Sequence, residues 1–305
     1  MIKISLSVIL TCMAFSACET LSPNASTEKT NPPPLASAPP KTPSTTSPTT
    51  VPTTTPDSPP PLTPPSTVMD KTPHPPLATV LPALNNTAGW RKITSTAMAA
   101  IPATAPNPPQ IFWSAQKNIS GVDRTISVVH GDLLKESDAI VNAANSGLEG
   151  GGGIDGIIHR AALVGGKDLL KDEAIAYKNH YKITAFPTGS AMVMHPYGLA
   201  PAIKMIVFTA GPQGASTLEK DLELYSAVLN SLSKASEYGA KSVSIPTIST
   251  GIFGFPLPRA IDLYYGAALQ FFADHPTTSV EHVRFMDLPR NKIQSLGTKF
   301  DLLFP

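Results

Sequence analysis

Cysteine is almost missing from this chain: two of 305 residues, Cys12 and Cys18, both within the first eighteen. Everything after residue 18 therefore lacks a disulfide, a thiolate metal site and a cysteine nucleophile. Histidine is sparse as well, 7 residues with no HExxH spacing among them, so no metal is expected. An excess of charge of one sign is also missing. Lys and Arg total 23 against 22 Asp and Glu, for a formal net charge of +1, and residues 111–305 carry 17 basic and 18 acidic side chains. A domain held to duplex nucleic acid by phosphate contacts shows a basic balance or face; a basic balance is excluded, and no nucleic-acid duplex is expected as a partner. Long apolar runs are absent too. The longest, Ile4–Phe15, spans about 18 Å as a helix, short of the ~30 Å hydrocarbon core of a bilayer.

That run has a different reading. Lys3 supplies a positive start, and Ser16-Ala17-Cys18 a small-residue end, the pattern of an export signal over residues 1–18. Its ending resembles the bacterial lipoprotein signal, which implies lipidation of Cys18 and an exported protein anchored to a bacterial membrane, the outer one in view of Glu19. Phe15 departs from the usual leucine of that signal, and ordinary cleavage after Ala17 is the alternative.

Proline is what the chain has in excess. Of 33 prolines, 23 lie between Pro23 and Pro109, in Pro/Thr/Ser runs such as 31–66. Only nine of residues 19–110 are charged and few are large and apolar, so the segment cannot bury enough surface to offset its ordering. It reads as a disordered, semi-rigid tether of polyproline II character. A Pro-rich ligand or a glycosylated Ser/Thr stalk are the other readings. The patch from Gly89 to Ala100, with Trp90, stands out as a segment able to dock on the domain. The folded domain is placed at 111–305.

Within it, β-branched and aromatic runs alternate with amphipathic ones. Strands are expected at 111–115, 125–130, 138–143, 190–195, 204–210, 242–246 and 282–287, and helices at 154–163, 167–177, 217–238 and 258–272. In the third helix Leu218, Leu222, Tyr225, Leu229, Leu232 and Ala235 recur at three-to-four spacing ahead of Gly239, a C-terminal stop. Alternation of this kind implies an α/β fold with a mostly parallel sheet covered on both faces. In such sheets ligands bind outside the carboxyl ends of the strands.

Two glycine-rich loops sit at such ends. One runs from Asn142 through Asn145, Gly147 and Glu149 to the four glycines 150–153, Ile154 and Asp155; the other is Ser249-Thr250-Gly251-Ile252-Phe253-Gly254. Each leaves a strand and precedes a helix, so backbone N–H groups and a helix N-terminus are available to an anion. Facing one another, they would clamp a phosphate or pyrophosphate. Neither is a dinucleotide fingerprint or a P-loop.

Together with His130-Gly131-Asp132-Leu133, these motifs resemble a macro domain of the MacroD type over about residues 112–290. The resemblance implies a three-layer α/β/α fold with a mostly parallel, mixed central sheet. It also implies binding of ADP-ribose or an ADP-ribosylated protein, with hydrolysis of ADP-ribose esters on acidic side chains or of O-acetyl-ADP-ribose, without a cofactor. Carried onto these residues, Asp132 and Leu133 meet the adenine; Gly151, Gly152, Gly153 and Ile154 hold the phosphates and nearby ribose. Ser249, Thr250, Gly251, Ile252 and Gly254 hold the pyrophosphate. Asn145, Asp155 and Phe253 handle the distal ribose as catalytic residues, and Asn142 braces the loop beside the ligand. Asp155, in the first turn of a helix, is expected to stay ionised. His159, one turn on, is expected to be a structural hydrogen bonder. Glu149 departs from the family pattern by adding a negative charge near the phosphates. Two rival readings remain: an ADP-ribose-binding module without turnover, and a surface scaffold with a vestigial pocket.

Overall fold

The computed structural model describes residues 83–305; the expected signal, Cys18 and the tether as far as residue 82 lie outside them. Eight strands form one sheet: β1 (Arg91–Thr94), β2 (Gln110–Ile119), β3 (Val122–His130), β4 (Asp138–Ala144), β5 (Ala191–Met194), β6 (Ile203–Ala210), β7 (Ser242–Pro246) and β8 (His282–Asp287). Their spatial order is β1-β2-β3-β8-β7-β4-β6-β5. The central pairs β3–β8, β8–β7, β7–β4 and β4–β6 are parallel. The flanking pairs β1–β2, β2–β3 and β5–β6 are antiparallel.

Five α-helices cover it among the described residues: α1 (Gly153–Ala161), α2 (Leu169–Tyr181), α3 (Leu218–Glu237), α4 (Leu257–Asp274) and α5 (Arg290–Leu303). Side-chain alternation along the strands sorts them into two layers. Ala139 and Val141 of β4, with Met205 and Val207 of β6, face the larger core built with α3, α4 and α5. Ile140 and Ala144, with Ile206 and Phe208, face the smaller core with Ile158 of α1 and Leu170 and Ala174 of α2. The result is the expected three-layer α/β/α arrangement.

Local signals explain the helix ends. Thr217 caps α3 through its side chain, which accepts from Lys220 N at 3.3 Å, with Glu219 and Asp221 in the first turn; oxygen at the cap and carboxylates at the positive end both favour initiation. Asp168 caps α2 in the same way, accepting from Lys171 N at 3.1 Å. Proline in the first turn opens α4, where its missing N–H costs nothing.

The start of the folded body is corrected by the structure. Residue 111 lies inside β2, and β1 adds a further edge strand, with Lys92 opposite Ala115. Trp90 packs on Phe272 and Phe304 at centroid separations of 5.7 and 6.0 Å, and Ile101 is 1% exposed. The segment placed in the tether through residue 110 therefore includes packed structure, one tryptophan and a four-residue edge strand docking the Gly89–Ala100 patch. Helix α5 was not expected either. Ile293, Leu296 and Phe300 are its buried stripe, diluted by polar neighbours.

Candidate functional site

The carboxyl ends of β3, β8, β7 and β4 are neighbours in the sheet, and a cavity of about 420 Å³ opens across them. Asp132, Leu133, Asn145, Gly152, Gly153, Ile154, Asp155, Ser249, Gly251, Ile252 and Phe253 all line it, so both glycine loops and the His-Gly-Asp-Leu motif converge as expected.

Asp155 is the most constrained of these. It is 2% exposed. Asn142 Nδ2 donates to its Oδ1 at 2.7 Å and Asn145 Nδ2 to its Oδ2 at 3.2 Å. Period-two alternation sends Asn142 to the α1 side of β4, the same side as Ile140 and Ala144. Burial pushes the carboxyl of Asp155 above its ordinary value, opposed by the Asn142 bond and the charge of His159. Desolvation of the carboxylate thus acts against the helix-end dipole that was expected to favour its charge.

His159 follows one turn later, with Nε2 3.6 Å from Asp155 Oδ1 and Nδ1 2.8 Å from Asp168 Oδ2. Phe208 meets the ring edge-on at 5.7 Å. The histidine stands between two carboxylates, one at the cavity and one at the start of α2. Asp168 went unnoticed in the sequence, because a helix-capping aspartate has no local sign of a second partner.

Four expected ligand residues do not line the cavity: Asn142, Gly151, Thr250 and Gly254. Asn142 is spent on Asp155. Thr250 Oγ1 donates to Thr247 O at 2.8 Å, and Gly254 N closes a turn onto Gly251 O at 3.0 Å. Gly151 lies under the helix: a Cβ at Gly156 would fall 2.1 Å from its carbonyl oxygen, so glycine at 156 lets the loop fold against α1. Asn145 lines the cavity, but its amide already donates to Gly150 O and Asp155 Oδ2, while its Oδ1 accepts from Gly147 N. In this structure its amide braces the loop while the residue lines the cavity. Asp132 both lines the cavity and caps the next turn, accepting from Leu134 N at 3.0 Å.

Glu149 does not line the cavity and is neutralised by two lysines. Lys178 of α2 pairs with it at 2.5 Å and Lys171 at 3.5 Å. The Lys178 hydrogen bond and charge hold its carboxyl below the usual range. Ser249, by contrast, lines the cavity with its Oγ buried against Gly211 and without a hydrogen-bond partner, on a backbone held at φ 65°. A non-glycine residue there is strained, and an unmatched buried hydroxyl is a donor in waiting. Across the gap, Ile252 is 79% exposed, and its Cδ1 lies 2.7 Å from where a Cβ on Gly152 would sit. The two loops thus meet over the cavity.

Sequence reasoning missed three polar lining residues, Thr247, Asp287 and Lys292. They come from the ends of β7 and β8 and the first turn of α5. Only Asp287, as the charged last residue of an apolar strand, carried a readable signal.

A model of the Macro domain family matches residues 141–264. A "Macro domain-containing protein in gbd 3'region" of Cupriavidus necator is 39% identical over 164 residues, covering 53% of this chain and 88% of that protein. The chain belongs to the macro domain family. "ADP-ribose glycohydrolase MACROD1" of Mus musculus is 41% identical over 157 residues, 50% of this macro domain chain and 45% of the mouse protein. The chain spans 30% to 56% of the length of the first curated relatives it matches. Among solved structures, the Oceanobacillus iheyensis macrodomain with ADP superposes with a TM-score of 0.55 at 30% identity, over 62% of this chain and 96% of that one.

Proposed function

We propose that the chain binds ADP-ribose and hydrolyses its esters, either those on acidic protein side chains or O-acetyl-ADP-ribose. The observation that carries this is Asp155, a buried carboxylate at the cavity wall, fixed by two asparagine amides and backed by His159. The base packs at the Asp132 and Leu133 end, the backbone N–H groups of the two loops meet the pyrophosphate, and the distal ribose lies beside Asp155 and Phe253. In its ionised form Asp155 accepts from a water or a ribose hydroxyl. Addition of that water to the ester carbonyl and loss of the ribose oxygen releases ADP-ribose and a free carboxylate. Burial raises the basicity of the group that orients the water.

Release of ADP-ribose from a protein modified on Asp or Glu is the measurement that checks this, with wild type and Asp155→Ala beside one another and an ADP-ribose titration on both. Release by wild type, reduced on the order of 10²–10⁴-fold in Asp155→Ala while binding persists, is the expected result. Tight binding with no release by wild type would leave a binding module. That second reading has its own support, since the Asp155 oxygens and the Asn145 amide are already engaged in holding the loop.

The same reading extends to the full chain: an exported domain on a proline-rich tether, anchored to a bacterial membrane through lipidated Cys18. Among the described residues no helix is long and apolar enough to cross a membrane, so anchoring of this kind would fall to the segment before them.

A further inference from the structure

Four charged side chains line the cavity, Asp132, Asp155, Asp287 and Lys292, and Lys292 is the one cation among them. It is tightly held. Its Nζ donates to Thr247 Oγ1 at 2.8 Å and to Asp287 Oδ2 at 3.0 Å. The Thr247 hydroxyl donates in turn to Asp287 Oδ2, and Leu288 N to Asp287 Oδ1 at 2.8 Å. Asp287 therefore accepts three hydrogen bonds inside the protein. An ammonium has three donors, and only two are engaged here.

Sheet order says where that remaining donor acts. Along the carboxyl edge the strands run β3, β8, β7, β4. On the reading proposed above, the base sits at the β3 end by Asp132 and the pyrophosphate at the loops after β7 and β4. The ribose that joins them must cross the end of β8, where Asp287 and Lys292 stand. Around them Leu133, Met286, Leu288 and Pro289 make an apolar floor, which suits a base but offers a sugar hydroxyl nothing.

We infer that Lys292, clamped by Asp287 and Thr247, reads the vicinal hydroxyls of the adenosine-side ribose and so selects ribonucleoside diphosphates over their deoxy counterparts. This rests on the ADP-ribose reading of the cavity. The clamp fixes the ammonium before the ligand arrives, so little side-chain freedom is lost on binding. Asp287 cancels its charge at longer range, which makes Lys292 a directional donor more than an attractor of phosphate.

The test is calorimetric titration of the full chain with ADP, 2′-deoxy-ADP and 3′-deoxy-ADP, in wild type and Lys292→Met. Wild type is expected to prefer ADP over at least one deoxy analogue by about tenfold, the size of a hydrogen bond to a charged group. In Lys292→Met the analogues should bind alike and ADP should weaken by a similar factor. Lys292→Gln, which keeps a polar end toward Thr247 and Asp287, carries the same comparison if the methionine variant fails to fold. Equal binding of ADP and both analogues by wild type, or a preference that survives loss of the ammonium, overturns the inference and leaves ADP-ribose binding standing. Failure of wild type to bind ADP or ADP-ribose at millimolar concentration overturns the parent reading instead.

Discussion

At the scale of single residues, burial separates groups that look alike in the sequence. Asp155 and Glu149 both belong to the first glycine loop and its helix, yet one is pushed up by desolvation and the other held down by Lys178. His282 shows the same effect far from the cavity, at the opposite end of β8 from Asp287. Burial, with the charge of Arg284 adding, brings it down to about 4, and its Nε2 lies 2.7 Å from Ser127 Oγ. A histidine kept neutral in the fold takes up a proton more readily when unfolded. The unfolded chain therefore binds more protons between pH 6.5 and about 4, and stability falls as pH drops through that window. The loss attributable to His282 should approach about 3 kcal/mol at full titration. Urea denaturation at pH 7.5 and pH 4.5 checks it: His282→Gln, which keeps a partner for Ser127, should show a smaller drop than wild type. An equal drop would assign the acid sensitivity to other groups.

At the scale of elements, β1 is the one that composition conceals. It pairs with β2 at the sheet edge, Lys92 bridges to Asp301 of α5 at 2.9 Å, and Trp90 covers Phe272 and Phe304. Asp301 also accepts from the indole N–H of the buried Trp113 at 3.1 Å, so the first strand and the last helix share one carboxylate. A chain starting at 111 loses Trp90, Ile101 and the strand together. By comparison with truncation of buried large side chains, it should be less stable by about 3 kcal/mol, or roughly 6–12 °C in Tm for a domain of this size. Thermal melts of residues 83–305 and 111–305 decide this; coincident midpoints would show that the segment contributes only length. The carboxyl-end loops depend on elements too. Helix α2 supplies both Asp168 to His159 and Lys178 to Glu149, so it orients the glycine loop without touching the cavity.

At the scale of the whole molecule, the macro domain occupies the C-terminal part of a chain whose first segment reads as signal and tether. An enzyme for ADP-ribose esters carried outside a cytoplasm would act on substrates outside it. The anchor is tested directly in the expressing cell: labelled fatty acid should enter the wild-type chain and be absent from Cys18→Ser. Equal labelling of both would remove the anchor and leave the domain's chemistry untouched.

Much of this architecture was legible in the residues. Among the described residues, seven of the eight strands and four of the five helices were visible as local periodicity, and the three motifs that converge on the cavity stand at strand ends where ligands of such sheets bind. These are short-range features, written into spacing, capping and glycine placement within a dozen residues. What only the tertiary structure decided are partnerships made across the chain. Lys178 of α2 pairs with Glu149, 29 positions earlier. Asp287 and Lys292 meet Thr247 from 40 and 45 positions along the chain. Such pairings depend on strand order and on which face each side chain leaves. Neither is set by the residues immediately around it, because β3, β8 and β7 become neighbours only when the sheet closes.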